Sequence, residues 1–255
     1  LAWFGRLHPL TDPAVRWRVL VTGALLAEFQ AAYQVALAWI SVSLATLVTI
    51  GSVPVLVAAV TAVRDRQWPT LPTLVPVAVS LAGLALLSGA SAEGWGAAAG
   101  IGMSLLAGAG FATLTLVTAR SVGHHGAVTA AGLLLGGLLL TPFALVAGMS
   151  VPFSGSVLGL VVFIGVVPTA VAYGVYALGA RTAGASSAAL AAMLEPLTAT
   201  LLAVGLRGER LSLAGIAGAV LVAAALVWGA AAVNRPGRPR ASRSRARTSP
   251  PVRAR

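Results

Sequence analysis

Between residues 17 and 233 the chain is a succession of apolar stretches parted by short loops. A helix rising 1.5 Å per residue needs about 20 such residues to cross a ~30 Å hydrocarbon layer. Eight stretches have that length: 17–38, 42–63, 71–90, 95–118, 126–148, 156–180, 184–206 and 211–233. The connections carry the turn formers and charges, as in "RDRQWP", "SAEGW", "SVGHH", "SVPFSG", "RTAG" and "RGER". Only 9% of residues are charged and 58% are hydrophobic, whereas soluble domains carry about 25% charged residues. Such a chain cannot cover a water-facing surface, so its solvent is lipid. The pattern predicts an all-α polytopic membrane protein with eight transmembrane helices.

The basic residues set the expected orientation. All 17 are arginines, and the net charge of +11 comes largely from those after Asn234. With an even number of spans, both ends lie on one side. That side collects Arg6, Arg16, Arg18, Arg64, Arg66, Arg120, Arg181 and the tail, leaving only Arg207 and Arg210 opposite. Cytoplasmic loops carry the arginine excess, so both ends are expected in the cytoplasm of a multi-pass plasma-membrane protein. Trp17, Trp39, Trp68, Trp95 and Trp228 fall near segment ends, where indole rings favour the headgroup level. No cleavable signal peptide is read ahead of the first segment.

An internal repeat organises the segments. "AYQV" at 32–35 returns as "AYGV" at 172–175. Each is followed by a small-residue turn, then a helix with a central proline (Pro54, Pro196), a charged loop, and an apolar helix ending at Gly89 or Gly229. Segments one to three thus match segments six to eight. Segment one enters from the cytoplasm and segment six from outside, so the two units are inverted, a common plan among secondary transporters. The second unit has two helices ahead of its matching part, at 95–118 and 126–148, that the first lacks. The expectation is a ten-helix architecture of two inverted five-helix repeats, with two helices belonging before Leu1. The divisions are 1–92 for the first repeat, 93–233 for the second, and 234–255 for a disordered Arg-rich cytoplasmic tail.

These motifs resemble the EamA-like members of the drug/metabolite transporter superfamily, which are built as two five-helix units. "AAMLEPLTATLLAVGLRGERLSLAGIAGAVLVAAALVWG" is similar to that family's ninth and tenth helices, and "VPTAVAYGVYALGARTAGASSAAL" to its eighth. The resemblance spans about residues 16 to 233. In the first unit Gln67 stands where the repeat would place a partner of Glu209. The resemblance implies a secondary transporter, an exporter, of small metabolites or drugs working by alternating access.

Two carboxylates lie deep in the apolar segments. Glu28 is about 15 Å along its helix from Arg18, and Glu195 about 18 Å from Arg207. A charge at mid-membrane costs about 2.5–3.5 kcal/mol on insertion scales, so such groups face the bundle interior or a wet cavity. Either could exchange a proton or hold a cationic substrate group. Glu195 could instead serve the backbone that Pro196 disturbs, since proline leaves a carbonyl near residue 192 without its donor. Gln30, Tyr33 and Gln34 share one helical face, with Glu28 roughly opposite Gln30. Tyr173 and Tyr176 are their counterparts in the second unit. All are candidate substrate contacts, aromatic faces suiting cations and flat rings, with interhelical hydrogen bonding as the alternative. Pro54, Pro168 and Pro196, with Pro76 and Pro142, are candidate kinks. The small-residue stripes Gly96–Gly100–Ser104–Gly108 and Gly215–Ala219–Ala223 suit close helix packing within the chain, or the contact of a homodimer.

The remaining function classes lack their residues. Without cysteine there is no disulfide or thiolate chemistry. "GASS" at 184–187 has no intramembrane histidine to activate a serine, because His8, His124 and His125 lie in loops. Asp12 and Asp65 also lie in loops, so no aspartyl dyad forms. The chain has no lysine and hence no phosphate-binding Gly-Lys-Ser/Thr loop. No catalytic residue, metal or cofactor is expected. The expected partners are a small-molecule substrate and the bilayer, whose anionic headgroups attract the tail arginines. Nucleic acid is not expected, for want of aromatic residues interleaved in the tail. A non-transporting membrane scaffold is the alternative function.

Overall fold

The computed structural model describes residues 12–66, 71–88, 96–120, 125–148, 154–207 and 212–233. Their regular structure is all helical, with no strand among the described residues. In chain order the helices are α1 (Pro13–Ala36), α2 (Val42–Asp65), α3 (Leu71–Ser88), α4 (Gly96–Arg120), α5 (His125–Val146), α6 (Gly155–Ile164), α7 (Ala172–Ala183), α8 (Ala185–Ala192), α9 (Leu194–Arg207) and α10 (Leu213–Val233). A π-helical segment, Gly165–Val171, joins α6 to α7. Among the described residues, six helical stretches are long and apolar enough to cross a membrane. The expected spans at 71–90 and 211–233 coincide with α3 and α10, whose apolar portions there, Leu74–Leu86 and Leu213–Trp228, are shorter. The Arg-rich tail, Trp68, Trp95 and the Gly208–Leu211 loop lie outside the described residues.

Helix starts follow from local chemistry. The Asp12 carboxylate accepts from the Ala14 N–H at 2.9 Å, with Pro13 opening α1. Ser41, Ser154 and Ser212 cap α2, α6 and α10 in the same way, accepting from Leu44, Val157 and Gly215. Helix α2 ends at Arg66, held at φ 51° with its N–H donating to the Ala62 carbonyl. Gly184, at φ 85°, turns the chain between α7 and α8, a conformation few residues other than glycine adopt.

The bundle is knitted by α1 against α4 and α5, α2 against α3 and α4, and α3 against α10. Lipid is as apolar as leucine, so these contacts depend on close van der Waals fit rather than on burial from water. The α4 stripe meets its neighbours inside the chain. A Cβ on Gly100 would strike Ile40, and one on Gly108 would strike Ser52 and the Thr49 carbonyl. The backbones come near enough for the Thr49 hydroxyl to donate to the Ser104 carbonyl at 3.1 Å. On α10 the packed positions are Gly215, Gly218, Val222 and Ala225, whereas Ala223 is exposed. Ala219 packs against the Met193–Val222 cluster, so of the expected 215–219–223 stripe only Ala223 falls outside the packed face. The buried face drifts round the helix because its spacing mixes three and four residues, following 3.6 per turn.

The prolines act in three ways. Pro54, Pro76 and Pro142 stay inside α2, α3 and α5. Pro168 falls in the π-helical segment, whose five-residue register leaves the Ile164 carbonyl to residue 169 rather than to the proline. The Thr169 hydroxyl also donates to that carbonyl, at 2.8 Å. At Pro196 the expected kink comes with a one-residue interruption at Met193, whose backbone stays right-handed at φ −71°, ψ −7°, so the 184–206 segment reads as two helices, α8 and α9. The break places Pro196 in the first turn of α9, where helical N–H groups have no intrahelical acceptor. Met193 is fully buried at the break, beside Ile50, Leu84, Leu197 and Val222.

Much of the surface is large and apolar. Leu158, Leu160, Val162 and Phe163 on α6 are all more than half exposed. Trp17, Trp39 and Trp228 are exposed near helix ends. A soluble monomer rarely presents apolar area on this scale, and lipid is the solvent that accepts it.

Candidate functional site

The break between α8 and α9, the π-helical segment and the middle of α1 converge on one cavity of about 600 Å³. Helix α1 contributes Phe29, Gln30 and Tyr33, and α2 contributes Thr46, Thr49 and Ile50. From α4 comes Phe111. The π-segment and α7 supply Pro168, Thr169, Ala172, Tyr173 and Tyr176, and the α8–α9 break supplies Ala191, Ala192 and Glu195. The volume suits a small molecule, and a few polar groups set in an apolar lining is the usual composition of such a site.

The polar groups are held in place. The Tyr33 hydroxyl bonds Thr46 Oγ1 at 2.7 Å, fixing α1 to α2 across the cavity wall. The Thr115 hydroxyl donates to the Phe111 carbonyl at 2.8 Å, so the Tyr176 hydroxyl, 2.8 Å away, is the donor to Thr115. Thr115 itself is fully buried behind the wall. Rings run continuously from Tyr33 through Phe29 and Phe111 to Tyr176, with centroid separations of 6.4, 5.3 and 5.3 Å. These are the spacings of favourable aromatic pairs.

Of the residues singled out from the sequence, Glu195, Gln30, Tyr33, Tyr173, Tyr176 and Pro168 border the cavity. Gln34 does not. It lies one residue beyond Tyr33, a 100° step round the helix, and is exposed. Glu28 does not border it either. Its carboxylate faces α4 at Gly110, where an added Cβ would collide with it. Both Glu28 oxygens are buried without a hydrogen-bond partner among the described residues. The absent side chain at Gly110 makes the room for Glu28. Pro54 is buried in the α2 core, and Pro196 stands beside Glu195 without bordering the cavity.

Sequence reasoning missed Phe29 and Phe111, which form the centre of the wall. Phe29 was legible in principle, because it stands four residues before Tyr33 and so on the same helix face. Phe111 carried no signal, since a phenylalanine in an apolar helix reads as packing.

The match to known proteins bears on the same region. Residues 98–229 match the model of the EamA-like transporter family. The chain is 30% identical over 196 residues to the Bacillus subtilis (strain 168) protein called Uncharacterized transporter YwfM, a match covering 76% of this chain and 66% of that one. The match thus spans about two thirds of that relative's length. A crystal structure of a protein 21% identical superposes with a TM-score of 0.75, over 90% of this chain and 80% of that one. At that identity the likeness speaks for the fold alone.

Proposed function

The chain belongs to the EamA-like transporter family of multi-pass membrane proteins, and on that premise we propose that the cavity is its solute site. Transport is by alternating access between two inverted units, in the direction of export that the family resemblance implies. The observation that carries this reading is the meeting of both units at the cavity. Residues of α1 and α2 line it together with residues of α4, α7, α8 and α9. The helix is broken or loosened there, at Met193 and along Gly165–Val171. Irregular backbone at membrane depth is tolerated where it lines a cavity, and discontinuous helices form the sites of many secondary transporters.

The packing supports the proposed ten-helix plan. Helices α1, α2 and α3 correspond to α6–α7, α8–α9 and α10, and the like pair α3 and α10 pack on each other. Helix α1 is covered by α4 and α5, whereas the matching α6 shows no buried residue among those described. Two further helices standing on α6 and α9 as α4 and α5 stand on α1 would complete the symmetry. The domain division at residue 93, eight spans in this chain, cytoplasmic ends and plasma-membrane placement belong to the same proposal. Reporter fusions in the loops after Asp65 and Arg207 test it. Opposite compartments are expected, and a shared compartment would contradict the inversion.

Proton coupling through Glu195 or Glu28 is a further part of the reading. Proteoliposomes holding the protein under an imposed pH gradient test both parts. Gradient-driven solute flux is expected, lost in Glu195→Gln or Glu28→Gln. Flux that survives in both variants would remove the coupling role, and absence of any flux would remove the transport role.

A further inference from the structure

The cavity wall is aromatic, and its charge is of one sign. The four-ring wall draws on α1, α4 and α7, and its two terminal phenols are tethered to Thr46 and Thr115. Rings held in place in this way lose little freedom when a ligand stacks on them. Among the described residues that border the cavity, Glu195 is the one carboxylate, and there is no arginine or histidine. The ring faces carry the negative lobe of the aromatic quadrupole and attract cations within about 6 Å. Glu195 is exposed on the cavity side of α9, and a carboxylate there attracts a cation and repels an anion. An anionic solute would meet no counter-charge among these residues. A neutral one would leave the carboxylate without a partner.

We propose that the cavity selects small organic monocations, amines or quaternary ammonium ions with an aromatic or aliphatic portion. The positive charge lies at Glu195 and the apolar portion on the Phe29–Phe111 wall. Carboxylates and phosphate esters are rejected. This substrate class deepens the reading of the cavity as the solute site and rests on it.

Equilibrium binding to the full chain in lipid nanodiscs, with empty nanodiscs as blank, tests the assignment. The probes are benzyltrimethylammonium, neutral phenylacetamide and anionic phenylacetate. The wild type is expected to bind the cation at least about tenfold more tightly than the amide, and the anion most weakly. Glu195→Gln is expected to bring the cation within about twofold of the amide while leaving the amide unchanged, and Glu195→Asp to keep the cation preference. Phe111→Ala, with Phe111→Leu as the milder change, is expected to weaken both ligands, the cation at least as much as the amide. Equal binding of the three probes, or preference for the anion, would overturn the substrate class, while a Phe111 effect would keep the cavity as the site. Binding unmoved by both Phe111 variants, or no binding above the blank, would overturn the site and the class together.

Discussion

Replacing Gly83 by alanine forces a choice on the α3–α10 pair. A Cβ there would lie 2.7 Å from the Gly218 carbonyl oxygen, 2.9 Å from Leu221 Cβ and 2.9 Å from the Val222 nitrogen. Two of these three atoms are backbone, so no side-chain rotation relieves the clash. Non-bonded heavy atoms rest at about 3.5–4.0 Å, so the helices must part by roughly 0.7 Å or more. A gap of that size forfeits about a quarter to a half of each dispersion contact along the seam. Overpacking in well-packed interiors costs about 1–3 kcal/mol. Alanine regains about 0.5–1 kcal/mol of backbone entropy in a helix interior. The central net expectation is a loss of about 1 kcal/mol, or a fall of about 2–4 °C in the unfolding midpoint for a chain of this size. The internal control is Gly102→Ala, at an α4 position with nothing within 4 Å of an added Cβ. Its midpoint should hold or rise. Thermal unfolding of the two purified variants in one detergent, followed by circular dichroism, reads the difference. Equal midpoints would refute the close α3–α10 seam, and with it the pairing of like helices across the two units.

Other consequences follow from single contacts. Thr169→Val removes the hydroxyl bond to the Ile164 carbonyl and should lower the unfolding midpoint through loss of a contact worth about 0.5–1.5 kcal/mol. Thr115→Val should lower the unfolding midpoint through loss of a bond worth about 0.5–1.5 kcal/mol, and should weaken solute binding by freeing the Tyr176 ring. Tyr176→Phe removes the same bond from the other side and serves as its comparison. Ala223→Leu on α10 should leave the midpoint within about 0.5 kcal/mol of wild type, as surface substitutions usually do, because that position faces outward. A large fall there would restore the 215–219–223 packing face.

The helices were legible because a length requirement and a hydropathy pattern act together over 20 residues. Expected stretches such as 42–63 and 126–148 agree with α2 and α5 to within a few residues. The break at Met193 was less legible. A proline announces that a helix is disturbed, but the neighbouring packing decides whether the chain bends or restarts. Here the buried seat of Met193 lies at the restart. The π-helical turn at Pro168 was hidden for a related reason, since a proline in sequence does not say whether the backbone kinks or widens by one residue. Glu195 could be found because a carboxylate is costly in lipid. Phe111 could not, because an aromatic ring costs nothing there. Glu28 shows the limit of the cost argument, which brings a carboxylate into the bundle but does not say which helix it faces.

The central claim is that one cavity, shared by the two units, carries the solute from one face of the membrane to the other. The chain has no cysteine, so Ala192→Cys places one thiol on the cavity wall without background. The measurement is its modification in proteoliposomes by a membrane-impermeant thiol reagent applied from either side, with solute flux recorded in the same vesicles. The account predicts labelling from both sides, slowed by solute, with flux lost as labelling proceeds. Labelling from one side only, or full labelling with flux unchanged, would contradict it.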